Sequence, residues 1–252
     1  MNAKMKVLSL ALVGLCGYAG SALAVCPTDP VPPWTSKNVS ADATLAITAP
    51  GLATTACKLD VSVIAGAIAN ARALVTDDSP VDEPRYRARF YFNISALTGL
   101  TTANQQASIF NASATTSPAA TSPAEVTIKL LGTTPARAIR LLVADVTQPS
   151  KFTTVTAVLP VSASGSYYVE FDLTQGASIP NPNFRYWVAD AATATSDASP
   201  TGTAPVDTTG WTGVTTANLG LFATTPGFRT AAAGQVLSVD QFDSRRQTFI
   251  GQ

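Results

Sequence analysis

Apolar and polar residues alternate with a period of two along most of the chain. A two-residue period is typical of β-strands with one buried face. Clusters of Pro, Gly, Asn and Ser, such as SASGS and IPNPN, separate the alternating segments and have the composition of turns. The alternation is clearest over residues 57–64, 86–94, 124–131, 138–146, 152–160, 167–174, 183–190, 217–223 and 236–242, and RRQTFI is predicted as a final strand.

Helical periodicity is confined to AIANARAL, residues 67–74, which fits either a short helix or a strand with its loop. Many short strands without intervening helices must pack face to face or close into a barrel. The sequence therefore predicts an all-β fold, a two-sheet antiparallel β-sandwich of the jelly-roll type. Residues 111–124 and 191–210 lack large apolar side chains and are predicted to be long loops.

The same alternation predicts which side chains are sealed between the sheets. In VLSVDQF the inward positions would run on to Gln241, although Phe242 is the better core residue. We expect a β-bulge near Asp240 to reset the register. The predicted core consists of Tyr86, Phe90, Phe92, Ile94, Val126, Ile128, Leu130, Val169, Phe171, Leu173, Phe242 and Ile250.

The first 24 residues have the features of a cleaved secretory signal. Lys4 and Lys6 precede an apolar run, and Ala22-Leu23-Ala24 forms a small-residue cleavage site. We predict a signal peptide over 1–24, a Pro-rich N-terminal arm over 25–44 and the sandwich domain over 45–252. No other stretch approaches the roughly 20 apolar residues that span a bilayer. The mature protein is therefore expected to be secreted, whether periplasmic, cell-surface or extracellular, without membrane insertion.

Charge and residue content exclude several classes of function. The chain has 16 Lys plus Arg against 16 Asp plus Glu, and without Lys4 and Lys6 its formal charge is −2. Such a balance predicts no nucleic-acid partner. The absence of histidine excludes His-based metal sites, Ser-His triads and Cys-His dyads. Cys26 and Cys57 form an even pair in an exported protein, which predicts a disulfide.

Five segments together resemble a known family. The chain is similar to bacterial exported domains related to the concanavalin A-like jelly rolls, which include legume-type lectins, laminin-G modules and family-16 type glucanases. The resemblance covers most of residues 45–250 and implies the jelly-roll architecture, but members of this fold differ widely in what they bind. It rests on GLATTACKLDV, DEPRYRARFYFNI, YYVEFDL, RYWVAD and VDQFDSRRQTFIG.

Charged residues line one face of two predicted strands. Arg85, Arg87 and Arg89 share a face, as do Glu170 and Asp172, because residues two apart in a strand project to the same side. One interpretation is cross-strand ion pairing on a solvated face, worth about 0.2–1 kcal/mol for each pair. The other is a site where the arginines bind an acidic glycan or another extracellular ligand. We favour ion pairing and keep all five residues as ligand-binding candidates.

The enzyme hypothesis depends on one short motif. Family-16 type glucanases carry a Glu-x-Asp pattern followed by a second Glu, and EFDLTQ resembles its first half at Glu170 and Asp172. A retaining glycosidase needs two carboxyl groups about 5–5.5 Å apart. The third member of the pattern is missing, because Gln175 cannot act as an acid. The sequence therefore predicts no catalytic residues and a protein that is not an enzyme.

Three further residues are candidates for binding, two for calcium and one for a sugar. Asp77 and Asp78 lie in DDSPVDE and are the candidate calcium ligands, although a solvated turn around Pro80 explains them as well. No other cofactor is predicted. Trp211 lies in the turn-rich GWTG and is the candidate for stacking on a sugar.

These observations predict a secreted or cell-surface, non-catalytic binding module for carbohydrate. A structural or adhesion subunit of the envelope or extracellular matrix is the alternative, because export, a disulfide and low charge fit it equally. Glycoside hydrolysis is the third hypothesis.

Overall fold

A computed structural model describes residues 26–31, 33–119, 123–133, 137–177, 182–245 and 248–251. The predicted signal peptide lies outside the described residues. One short helix, α1 (Pro226–Ala231), accompanies a large set of strands. The strands are β1 (Ser36–Val39), β2 (Ala43–Thr48), β3 (Lys58–Val63), β4 (Ala73–Asp77), β5 (Arg85–Asn93), β6 (Gln106–Ala114), β7 (Ala124–Leu131), β8 (Ala138–Ala144), β9 (Phe152–Val158), β10 (Ser166–Thr174), β11 (Phe184–Asp190), β12 (Gly202–Ala204), β13 (Val214–Thr224) and β14 (Val236–Arg245).

The strands form two seven-stranded sheets. Sheet A has the order β1-β4-β13-β6-β7-β8-β9, and sheet B has the order β12-β11-β10-β5-β14-β3-β2. Neighbouring strands within both sheets are antiparallel. The structure therefore confirms the predicted two-sheet antiparallel β-sandwich, which has the form of a jelly roll.

The interior is built from the inward residues of both sheets, as the alternation predicts. Phe90 and Phe171 of sheet B and Phe110 of sheet A are fully buried. The Phe110 ring lies 5.5 Å from that of Phe90 and 5.4 Å from that of Phe171, measured between ring centroids. Burying a side chain of this size contributes about 1.5–3 kcal/mol. These contacts join the two sheets at their centre.

The predicted bulge near Asp240 is present. The pairing of β14 with β5 shifts register between Asp240 and Asp243. Gln241 takes up the extra residue with a φ of 49°, in the left-handed region that non-glycine residues adopt rarely. Phe242 then returns to the inward face, with its ring centroid 6.1 Å from that of Phe110.

Several elements differ from the prediction. Of the two alternatives for residues 67–74, the structure has the loop with its strand, because β4 begins at Ala73. Strand β6 continues to Ala114, well into the segment predicted as a loop. The predicted last strand is wrong in part: β14 ends at Arg245, and Ile250 lies outside the core between the sheets. Residues 248–251 instead lie against the outer face of sheet B, where they contact charged groups.

The N-terminal region is tied to the sandwich. The disulfide between Cys26 and Cys57 is formed, with a Cα–Cα distance of 5.7 Å, as predicted. The segment predicted as an arm also contributes β1, which pairs with β4 at the edge of sheet A. Within the described ranges, no helix is long and apolar enough to cross a membrane.

Candidate functional site

The predicted charged residues lie together on the outer face of sheet B. Strands β5 and β10 pair so that Arg89 lies opposite Glu170, and Arg87 lies opposite Asp172. Because inward and outward positions alternate along both strands, Arg85, Arg87 and Arg89 share the outer face with both carboxylates. The structure therefore brings all five charged candidates into one cluster.

Arg87 is at the centre of this cluster and is almost completely buried. Its Nε donates to Glu170 Oε1 at 2.6 Å, and its Nη2 donates to Asp197 Oδ1 at 2.8 Å. Arg87 is 1% exposed and Glu170 is 0% exposed. The expectation that this face is solvated is wrong, because Arg87 and its main partner Glu170 are both shielded from water.

Asp172 accepts from two further arginines. Arg85 donates to both of its oxygens, at 3.0 and 2.8 Å, and Arg185 Nη2 donates at 2.7 Å. Burial raises the pKa of Asp172, but the hydrogen bonds from Arg85 and Arg185 outweigh burial and hold this pKa below its usual range. Asp172 is therefore a stable anion within the cluster.

The cluster is covered by the end of the described chain. The backbone N–H groups of Ile250 and Gly251 donate to the two oxygens of Glu170, each at 3.0 Å. The Phe249 ring lies 4.9 Å from the guanidinium carbon of Arg87, which also lies 4.7 Å from the ring of Trp187. This cover explains the burial, and sequence alternation alone contains no signal for it.

Ligand binding at Arg85, Arg87, Arg89, Glu170 and Asp172 stays a prediction. A ligand would reach Arg87 and Glu170 only after residues 248–251 and Asp197 had moved away, because these groups occupy their polar atoms. In this structure, ion pairs connect three strands and the segment with Asp197, and backbone hydrogen bonds to Glu170 add residues 250 and 251.

Trp211 lies in an apolar cluster. It is 6% exposed and contacts Phe152 edge-to-face, with 6.2 Å between the ring centroids. Ala114 and Ala144 complete this cluster. Sugar stacking on Trp211 stays a prediction, and the buried ring offers little face to a sugar in this conformation.

Asp77 is the last residue of β4, and Asp78 follows it. Asp77 Oδ1 accepts from the backbone N–H of Ser79 at 2.9 Å, which forms a local turn. Among the residues that the structure describes, no three His, Cys, Asp or Glu side chains converge as metal ligands would. Calcium at Asp77 and Asp78 stays a prediction.

A second polar surface lies on the outer face of sheet A. We call it the sheet A polar face and define it by Asn111, Asn218, Thr127, Lys129 and Arg140. Asn218 lies opposite Asn111, which lies opposite Thr127 on the next strand. Lys129 follows two residues after Thr127 and lies opposite Arg140 of β8. Amide, hydroxyl and cationic groups therefore lie on adjoining strands.

Lys129 and Arg140 are like charges placed directly across a strand pair. Such pairs are unfavourable in a sheet unless an anion lies between them. No carboxylate within the described part of the chain forms an ion pair with either residue. Arg140 Nε is buried and makes no hydrogen bond to the described residues. Burial, assisted by the charge of Arg140, lowers the pKa of Lys129. The pair therefore has the properties of an anion site.

Sequence reasoning overlooked this pair. Both residues fall within correctly predicted strands, and alternation places each on the outward side. The sequence contains no signal that β7 and β8 align Lys129 with Arg140, because register is set by the turn and by the packed core.

Comparison with solved structures relates the fold to enzymes. An endo-β-1,4-glucuronan lyase from the fungus Trichoderma reesei is 13% identical, with 89% of this chain and 95% of that chain covered and a TM-score of 0.59. The alginate lyase Aly36B is 10% identical, with coverages of 75% and 80% and a TM-score of 0.52. A mutant of Aly36B in complex with alginate tetrasaccharide is also 10% identical, with coverages of 75% and 81% and a TM-score of 0.53. At these identities the likeness shows the fold alone. No protein-family profile and no curated protein matches the chain.

The prediction of a non-catalytic binding module, and with it the prediction that the chain is not an enzyme, is wrong. The finding that overturns it is that polysaccharide lyases share this fold over most of their length. The absence of histidine and the incomplete carboxylate motif argue against hydrolases, and glycoside hydrolysis is kept only as the third hypothesis. Elimination chemistry needs neither feature, so these arguments do not extend to lyases.

Proposed function

We propose that this protein is a polysaccharide lyase that cleaves chains containing uronic acids and binds them on the sheet A polar face. The observation that carries the proposal is the cationic pair Lys129 and Arg140, which has no anionic partner among the described residues. The fold shared with glucuronan and alginate lyases supports it. A uronate carboxylate supplies the missing anion.

The chemistry follows from what a uronate requires. A base removes the proton from C5, next to the carboxylate, the C4–O4 bond breaks, and a C4=C5 double bond forms while O4 gains a proton. Arg140 has a planar guanidinium suited to a carboxylate, and it stabilises the negative charge that develops as the C5 proton leaves. Lys129, whose lowered pKa increases its neutral fraction, is our candidate for the base.

One amide side chain gives the surface further binding capacity. Asn111 Nδ2 donates to the hydroxyl of Thr127 at 3.0 Å, and Asn218 Oδ1 accepts from the hydroxyl of Thr76 at 2.9 Å. The Nδ2 of Asn218 therefore retains hydrogen-bonding capacity for a sugar hydroxyl, whereas Asn111 is buried and its Oδ1 also accepts from the hydroxyl of Ser113. The Asn218 amide would position a neighbouring sugar unit along the strands.

The proposal includes export and membership of the concanavalin A-like group. Residues 1–24 would direct secretion, and the Cys26–Cys57 disulfide supports an oxidising compartment. A polymeric extracellular substrate is consistent with both features. The bacterial origin implied by the sequence resemblance is part of the same proposal.

The test is an elimination assay on polyglucuronate and alginate. We expect ultraviolet absorbance to rise as the C4=C5 double bond forms, with no rise on a neutral glucan. Arg140→Met is expected to lower kcat by about 10²–10³-fold, as loss of a charge-stabilising donor does. Lys129→Met is expected to lower it by about 10²–10⁴-fold, as loss of a general base does.

The matched control is Lys37→Met, which removes an exposed cation from β1 of the same sheet and should leave the rate unchanged. Absence of an unsaturated product from every uronan would contradict the proposal. Equal rates in the wild type, Arg140→Met and Lys129→Met would exclude the sheet A polar face as the catalytic site.

A further inference from the structure

The sandwich contains a large cavity at the edge where the N-terminal region meets both sheets. Its volume is about 590 Å³. It is partly open to solvent and is therefore a cleft between the sheets, not an enclosed void. Pockets for small ligands usually have volumes of about 300–1,000 Å³. The cavity therefore has the size of a ligand pocket rather than of a packing defect.

Apolar side chains from both sheets form most of its wall. Leu219 and Asp77 belong to sheet A, and the other strand residues of the lining belong to sheet B, so the cavity extends between the sheets. Two aromatic rings, those of Trp34 and Phe242, meet with centroids 5.2 Å apart and planes tilted by 40°. The principal apolar lining residues are Trp34, Ile47, Leu59, Leu219, Val239 and Phe242.

The N-terminal wall of the cavity is held in place. Cys57 lines the cavity and is bonded to Cys26, which anchors the N-terminal region beside it. The backbone N–H of Thr35 donates to the carbonyl of Thr76 at 2.9 Å, and that of Trp34 donates to the carbonyl of Pro30 at 3.2 Å. A wall fixed in this way lowers the ordering cost of binding.

The charged groups of the lining, two carboxylates and one ammonium, disfavour an anion. The Asp240 carboxylate accepts from the backbone N–H groups of Leu52 and Gln241, each at 2.7 Å. It also accepts from the hydroxyl of Thr55, so both of its oxygens are already hydrogen-bonded to the protein. The remaining charged lining residues, Lys58 and Asp77, have opposite signs. An uncharged molecule therefore fits the cavity better than an anion.

We propose that this cavity binds a small, uncharged, apolar molecule that contains a ring. Aliphatic walls bury its body, and the Trp34 and Phe242 rings contact its ring in tilted geometry, worth about 0.5–1.5 kcal/mol beyond the burial of area. The site lies apart from the sheet A polar face, so binding here is independent of the proposed lyase activity.

The experiment titrates the protein with N-phenyl-1-naphthylamine, a neutral ring compound whose fluorescence increases in apolar surroundings. We expect saturable binding of one molecule per chain. Val239→Trp fills the cavity and should weaken binding at least tenfold. The matched control is the same substitution at Val158, which is 65% exposed on β9 and should bind as the wild type does.

A second variant keeps the test decisive if Val239→Trp fails to fold. Trp34→Leu lies on the N-terminal wall and removes one ring, and it should weaken binding about threefold to tenfold. Naphthalene-1-carboxylate should displace the probe at least tenfold less effectively than 1-naphthol does. Probe fluorescence that does not saturate, an unaltered affinity in Trp34→Leu, or preference for the carboxylate would each overturn the proposal.

Discussion

Replacing Arg87 with methionine is expected to lower the free energy of unfolding by about 3–5 kcal/mol, as removal of one partner from a buried ion pair does. Glu170 would remain fully buried without its 2.6 Å partner, and Asp197 would lose its 2.8 Å contact. The Arg87 guanidinium also contacts the rings of Trp187 and Phe249, and methionine retains only part of that packing. Denaturation in urea, monitored by fluorescence and circular dichroism, measures the loss.

A double-mutant cycle separates the ion pair from the packing. Glu170→Gln in the Arg87→Met background removes the uncompensated charge, so the double variant should be more stable than Arg87→Met alone. Lys37→Met is the control, since its partner Asp29 is exposed and an exposed ion pair contributes little to stability. A loss below about 1 kcal/mol in Arg87→Met would show that the buried pair does not stabilise the fold.

The expected size of this effect follows from the covering segments. On an open sheet face the same residues would form solvated pairs of small energy. Phe249 and the backbone N–H groups of Ile250 and Gly251 exclude water from Arg87 and Glu170, and they satisfy the remaining carboxylate oxygens. The cover and the cluster therefore stabilise each other, and disrupting either one should expose both.

The strands that the sequence predicts well are those with large alternating side chains. RYRARFYFN and SYYVEFDLT alternate aromatic or aliphatic residues with charged ones, and both form central strands of sheet B. Strand β6, QASIFNASA, is rich in Ala and Ser and has two register irregularities, so its period is broken. Strand β1 has no buried residue and therefore no apolar alternation to detect.

Site prediction ends where distant segments meet. The two-residue alternation along β5 and β10 correctly predicts that the charged side chains lie on one face. The groups that bury them come from about 80 positions further along the chain, as with Glu170 and Gly251. Predicting Lys129 and Arg140 as a site would require knowing which charged residues have no ion-pair partner in the folded protein. Local pattern contains neither kind of information.

A buried carboxyl outside these surfaces gives a second large expected effect. Glu125 is 0% exposed and lies at the irregularity where Ala112 pairs with Val126 but Ser113 pairs with Ala124. Its Oε1 accepts from Gln175 Nε2 at 2.9 Å, and its Oε2 has no hydrogen-bond partner within the described ranges. Burial raises the pKa of Glu125 to about 8.

This pKa predicts stability that falls as pH rises. The folded state holds a proton on Glu125 up to pH of about 8, whereas the unfolded chain releases it near its ordinary value of 4.5. The stabilisation is therefore complete below about pH 4.5 and is lost as pH rises through about 8. Because one pKa unit corresponds to about 1.4 kcal/mol, the difference between 4.5 and about 8 corresponds to a loss on the order of 5 kcal/mol.

Glu125→Gln tests this directly, because glutamine has the shape of the protonated acid and does not ionise. In urea denaturation, the variant should match the wild type near pH 5 and exceed its stability near pH 9 by most of that loss. Asp29→Asn, which removes an exposed carboxylate with a lowered pKa, should leave the slope between these pH values unchanged. Equal wild-type stability at both pH values would mean that Glu125 is already ionised in the folded protein, and the buried carboxylate would then need an alternative source of solvation.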